Sequence, residues 1–284
     1  MSHFSIAGLQ LDLSTGDNLD VIAKEIIKTK KRFPWLNMIV LSELSSYGPE
    51  KKYASSVPSK AEQFYSQLAK QHDVWLIPGS MYEQAGTDIF NTTTVINNKG
   101  EIVERYRKIY PFYPYEDGVS CGQDFVVFDV PQGRIGVAIC YDLWFPEVAR
   151  QLASMGAEVL IYPTLTGTID RPIELVMAQA TAATNQSYVF AINAAGELGN
   201  GQSIVVGPEG NVIYQASVGV EIIPFEVDFD LVRRNRERGL HNLGQPLKSF
   251  ANNQIQFSVY ADKAPLKAVL EELGPLDIPK INNE

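Results

Sequence analysis

The sequence predicts an α/β protein built as a four-layer αββα sandwich, and three observations carry that prediction. Short, almost wholly apolar runs alternate with segments of helical periodicity, as expected for strands covered by helices. The same order of elements occurs twice along the 284 residues. Each half would leave one sheet face bare, and the two bare faces can cover each other.

In the first half, apolar runs at Phe4–Leu11, Met38–Leu44 and Val74–Ile77 read as strands, the last closed by Pro78-Gly79. Helices near Leu19–Phe33 and Lys60–His72 separate them. A hairpin follows, with strands Thr92–Ile96 and Ile102–Tyr106 around Asn98-Lys99-Gly100. From Arg134 the order returns: strand Arg134–Ile139, helix Pro146–Met155 stopped by Gly156, strand Glu158–Tyr162, helix Ile173–Thr184 and strand Tyr188–Asn193. A second hairpin, Ser203–Val206 with Asn211–Tyr214, turns at Pro208-Glu209-Gly210. The repetition lies in the elements, not in the residues. After Asp228 an Arg-rich helical stretch leads to the C-terminus. Residues 1–262 are assigned to the domain and 263–284 to a tail that either crosses onto a partner subunit, in a homodimer or larger homo-oligomer, or frays.

With 45% hydrophobic and 20% charged residues the chain is an ordinary globular protein, neither collagen-like, coiled-coil nor disordered. A net charge of −9 opposes nucleic-acid backbones and anionic membrane surfaces. No apolar run approaches the roughly 20 residues that span a bilayer, and the start Met-Ser-His-Phe-Ser lacks the cationic opening of a secretory leader. Cys121 and Cys140, the two cysteines, form no disulfide framework, so a reducing cytoplasm is expected.

Cys140 closes the apolar run Gly136-Val137-Ala138-Ile139, and Pro146 pre-sets the helix that follows. A residue between strand end and helix start lies at the carboxyl edge of a sheet, where open α/β folds place their ligands. It is therefore either a nucleophile or a small buried hydrophobe. Cys121, in a Gly-Val-Ser-Cys-Gly loop, has no comparable placement. A catalytic thiol needs a base, and the three histidines, His3, His72 and His241, all read as surface residues. Two unpatterned cysteines and three scattered histidines give no metal-ligand spacing, and no cofactor motif is present. The base must be a carboxylate. Glu43 qualifies because it follows the apolar strand Met38-Ile39-Val40-Leu41, and a low-dielectric position would raise its pKa toward the working pH. Lys108, after the first hairpin, means nothing by itself.

Together these residues resemble the nitrilase superfamily, the carbon–nitrogen hydrolases, whose signature is a Glu, a Lys and a Cys on three separated motifs. Leu41-Ser42-Glu43 matches the first and Tyr106-Arg107-Lys108 the second. The third runs from Gly136 through Cys140-Tyr141-Asp142-Leu143-Trp144-Phe145-Pro146-Glu147 to Arg150 and Gly156-Ala157. Similarity extends over roughly residues 4–260, and the family fold is the αββα sandwich. Pro114-Tyr115-Glu116-Asp117-Gly118 stands where amidase members carry a second active-site Glu, and Cys140-Tyr141-Asp142 is similar to amidases and ω-amidases more than to true nitrilases.

The resemblance implies a small linear amide as substrate, hydrolysed with water through a thioester. Glu43 would be the base and Cys140 the nucleophile. Lys108 and the Tyr141 N–H would hold the oxyanion, while Glu116 orients the water. Trp144, Tyr47, Tyr115 and Thr164 are expected pocket walls, with core packing as the alternative. Asp142 and Glu147 are expected to fix the helix start near its dipole. Arg171 either pairs a substrate carboxylate, favouring an ω-amide or N-carbamoyl amino acid, or makes a surface ion pair. A non-catalytic sandwich that binds a metabolite or partner in the same pocket is the rival of another class.

Overall fold

Strand β1 (His3–Gln10) is buried on both faces: Phe4 and Ile6 enter one apolar cluster, Ala7 and Leu9 another. A strand buried in this way belongs to a sheet covered twice. The computed structural model describes residues 2–113, 115–260, 270–274 and 276 and shows both covers. Outside lie α1 (Leu19–Arg32), which sends Ile22 and Ile26 into the outer cluster, and, after β2 (Met38–Leu41), α2 (Lys60–His72), which adds Tyr65 and Leu68. Helix α2 starts on a reciprocal cap: Ser59 Oγ accepts the Glu62 N–H at 3.1 Å and Glu62 accepts the Ser59 N–H at 2.7 Å. Next come β3 (Trp75–Ile77), β4 (Ser80–Ala85), β5 (Asp88–Ile96) and β6 (Ile102–Arg107). Strands β1, β2 and β3 are parallel; β3 and β4 pair in succession with one side of β5, and β6 takes its other side.

The second sheet repeats the plan. Strand β7 (Val126–Val130) runs antiparallel to β8 (Gly133–Val137); α3 (Pro146–Ser154), β9 (Val159–Pro163), α4 (Arg171–Asn185) and β10 (Tyr188–Ile192) follow. Strands β8, β9 and β10 are parallel, and β11 (Ile204–Val206) and β12 (Val212–Gln215) extend the sheet antiparallel. Strand β13 (Glu221–Asp228) returns to the first sheet beside β1, and α5 (Phe229–Arg238) and α6 (Pro246–Asn252) follow it. The sheets meet closely at their centres: a Cβ on Gly8 of β1 would stand 2.3 Å from Ile192 Cδ1 of β10. The order is thus helices, sheet, sheet, helices, as expected.

The strands that the sequence reading lacks are β4, β7 and β13, and it lacks helix α6 as well. These three strands pair with one neighbour only. Edge strands carry polar residues and proline that a central strand excludes, here Glu83 and Gln84, Asp129, and Pro224 with Glu226. Helix α4 begins at Arg171, two residues before the expected start. No helix among the described residues is long and apolar enough to cross a membrane. The tail 263–284, apart from 270–274 and 276, lies outside the described residues.

Candidate active site

The carboxyl ends of β2, β6 and β8 bring three sequence-distant residues to one place. Glu43 lies two residues beyond β2, and its N–H donates to Thr164 O at 3.1 Å, just past β9 in the other sheet. Lys108 directly follows β6; its N–H donates to Asn91 O at 2.8 Å and its C=O accepts the Gly122 N–H at 2.7 Å. Both backbones are fixed before their side chains do anything.

Cys140 begins a 3-10 turn (Cys140–Trp144) with φ of 45°, a left-handed conformation that costs a non-glycine residue free energy and needs outside support. Asp142 supplies that support. Its carboxylate accepts the Ile139 N–H (2.9 Å), the Tyr110 N–H (2.9 Å) and the Tyr106 hydroxyl (2.7 Å), tying the turn to the Lys108 segment. Burial pushes the Asp142 carboxyl up to about 6 in spite of these donors. Its role is therefore a three-point bracket rather than the expected dipole contact. Glu147 is exposed and accepts the Tyr260 hydroxyl at 2.8 Å.

Lys108 Nζ donates to Glu43 Oε1 at 2.7 Å and to Glu116 Oε2 at 2.5 Å. Asn91 Nδ2 donates to the same two carboxylates, at 2.8 and 2.7 Å, one amide hydrogen to each. Glu116 is further held by the Phe112 N–H at 2.7 Å. Lys108 is 1% exposed, and Glu43 and Glu116 are each 4% exposed, so the charges interact with little screening. Burial alone would lower the Lys108 ammonium, but Glu43 and Glu116 outweigh it and hold it well above its ordinary range. Burial raises Glu43, with Glu116 adding to the rise and Lys108 opposing it. Burial and the Glu43 charge push the Cys140 thiol well up, with Lys108 opposing them.

These groups open into a cavity of about 300 Å³, lined by Glu43, Lys108, Glu116 and Cys140 together with Tyr115, Tyr141 and Trp144. Two expected walls are absent from its lining. Tyr47 stacks on Tyr53, with ring centroids 5.3 Å apart, against the outer cluster, and Thr164 is buried with its carbonyl committed to Glu43. Arg171 is neither at the surface nor in the lining: it is fully buried, donating to Glu174 Oε2 and Gln202 O, each at 2.9 Å. His3, His72 and His241 stay clear of the cavity, and Cys121 is exposed elsewhere.

The sequence reading missed Asn91, Thr166 and Glu174 as site residues. Thr166 and Glu174 line the cavity, with Thr166 Oγ1 3.9 Å from Cys140 Sγ. An Asn amid the threonines of β5 carries no periodic signal. For Glu174, the spacing of three from Arg171 at a helix start was the available hint.

A fold of this kind with a Glu–Lys–Cys constellation at its sheet edges points to one class, and the chain belongs to the carbon-nitrogen hydrolase family, whose family model it matches over residues 6–237. Its similarities place it on the amidase-like side of the nitrilase superfamily. It is 32% identical over 285 residues to omega-amidase NIT3 of Saccharomyces cerevisiae, covering 90% of this chain and 94% of that protein. The crystal structure of Saccharomyces cerevisiae Nit3, a member of branch 10 of the nitrilase superfamily, superposes with a TM-score of 0.77 at 30% identity, over 83% of this chain and 93% of that one. A carbon-nitrogen hydrolase from Helicobacter pylori G27 shares the fold with a TM-score of 0.82 at 24% identity, over 92% of this chain and 99% of that one.

Proposed function

We propose that the protein hydrolyses a small linear amide to a carboxylic acid and ammonia, with Cys140 as nucleophile and a thioester intermediate. The observation that carries this reading is Cys140 sharing a cavity with the buried Glu43–Lys108–Glu116 cluster. Glu43 takes the thiol proton as sulfur attacks the carbonyl carbon. The oxyanion meets the Lys108 ammonium and the Tyr141 N–H, which has no intrahelical acceptor in the first turn of its 3-10 segment. Glu43 returns the proton to nitrogen and ammonia departs. Water, oriented by Glu116, then attacks the thioester and gives a proton to Glu43; the carbon–sulfur bond breaks, the acid leaves and the Cys140 sulfur takes the proton back. The raised pKa of Glu43 suits a base that must also act as an acid. Omega-amidase relatives support amide chemistry.

The remainder of the lining speaks to the rest of the substrate. Asp170, Glu174 and Glu197 line the cavity, and Lys108, already held by two carboxylates, is the lone cation among the described lining residues. A substrate carboxylate would find no free partner, so an uncharged or cationic acyl part is favoured over an ω-amide that bears a carboxylate or an N-carbamoyl amino acid.

A panel of butyramide, 4-aminobutyramide, succinamate, N-carbamoylglycine and butyronitrile, scored by ammonia release, tests this. The neutral and cationic amides should exceed succinamate in kcat/KM by about 10-fold or more. Absence of ammonia from every amide would overturn the amidase reading in favour of a non-catalytic pocket, and preference for the acidic substrates would overturn the charge reading. A second expected result concerns pH. Protonation removes the base, so kcat/KM for butyramide falls as pH drops through the Glu43 pKa, and that limb lies above the ordinary carboxylate range. A limb at or below the ordinary carboxylate pKa, in protein still folded there, would exclude Glu43 as the titrating base.

A further inference from the structure

A hydroxyl 3.9 Å from the nucleophile, that of Thr166, has no part in the chemistry above. Thr166 follows β9, is 5% exposed, and has its backbone clamped by Asn193: Asn193 Oδ1 accepts the Thr166 N–H at 2.8 Å and Asn193 Nδ2 donates to Thr166 O at 3.0 Å. Its Oγ1 lies 2.9 and 3.1 Å from the two oxygens of Glu174. Glu174 takes Arg171 Nη1 at 2.9 Å, and the Trp144 indole nitrogen stands 3.5 Å away. A carboxylate paired with a guanidinium accepts and does not donate, and a hydroxyl has one hydrogen and two lone pairs. The Thr166 hydrogen therefore points to Glu174, and the oxygen presents lone pairs to the cavity, 3.9 Å from Cys140 Sγ.

We propose that Thr166 is the acceptor that recognises the amide nitrogen of the substrate. The inference rests on the amidase reading and adds a specificity residue to it. With the carbonyl carbon at sulfur and its oxygen at Lys108, the –NH2 group lies on the side of Glu43 and Thr166. Glu43 must deliver a proton to that nitrogen, and Thr166 Oγ1 accepts one of the two N–H bonds that persist through the reaction. The Arg171–Glu174 pair is the positioning device, because it fixes the direction of the Thr166 hydrogen. An ester or thioester of the same acyl group has no N–H to donate and turns lone pairs toward lone pairs, so the arrangement favours amides over otherwise matched acyl donors.

The experiment compares butyramide with S-methyl thiobutyrate, which would give the same acyl-enzyme, in wild type and in Thr166→Val, Thr166→Ala and Thr166→Ser. Both hydroxyl-free variants should lose about 10- to 100-fold in kcat/KM for butyramide and less than about 3-fold for the thioester, with Thr166→Ser restoring amide turnover. A merely structural role would depress both substrates alike, and equal losses would overturn the inference, as would unchanged amide turnover in Val and Ala variants. If wild type turns over the thioester but releases no ammonia from any amide, the amidase reading itself falls and takes this inference with it; equal losses on a working amidase overturn this inference alone.

Discussion

Cys140→Ala is expected to abolish ammonia release, a loss on the order of 10⁶-fold, the scale seen when a covalent nucleophile is removed. The size follows from the route: without sulfur there is no acyl-enzyme, and the remaining groups can only bind and polarise the amide. The fold should survive, because the substitution removes one buried sulfur and the turn around it remains bracketed by Asp142. Two measurements separate loss of chemistry from loss of structure. Melting temperature should change by no more than a few degrees, and acid-quenched wild type, but not the variant, should carry a butyryl mass on the peptide containing residue 140. Cys121→Ala, at an exposed position, should keep wild-type turnover. Substantial activity in folded Cys140→Ala would remove the nucleophile from the mechanism.

Lys108→Met should act twice. The lost ammonium would lower kcat by about 100- to 1000-fold, as with other oxyanion donors. It would also leave Glu43 and Glu116 buried together without their shared cation, at a cost of about 3–5 kcal/mol in stability near neutral pH. The sign with pH separates this from a packing defect. In the variant Glu43, already raised by burial and now without the opposing cation, would have a folded pKa above its unfolded one, so the folded state would bind more protons and stability would recover as pH falls toward and below that value. A packing defect would show no such recovery. Chemical denaturation from pH 8 to 5, beside kcat at each pH, reads both effects; full stability at pH 8, or kcat within about 3-fold of wild type, would contradict the assignment.

The central architecture and the Glu43 and Cys140 placements were legible in the sequence for one physical reason, whereas Lys108, after the half-exposed strand β6, was legible only through its motif. Strands buried on both faces have to be apolar, and Glu43 and Cys140 each stand just past the end of such a run. Edge strands lack that signature, which is why β4, β7 and β13 were not visible. Side-chain direction in the loops was equally hidden. Thr164 and Thr166 are close in sequence, yet Thr164 spends its carbonyl on Glu43 while Thr166 faces the sulfur. Arg171 looked like a surface or ligand-binding cation because one of its partners, Gln202, is 31 residues away. Asn91 was missed for a similar reason, since its two acceptors come from different segments.

Glu43 and Lys108 belong to one sheet and Cys140 to the other, so the distance between base and nucleophile is a property of the protein's interior. Where Gly8 lies against Ile192, the two halves touch with no room for another methyl group. Changes in side-chain bulk along that seam would tilt one half against the other and alter the reach of the proton from sulfur to carboxylate. On the proposed mechanism, turnover is therefore open to tuning by residues that never meet the substrate.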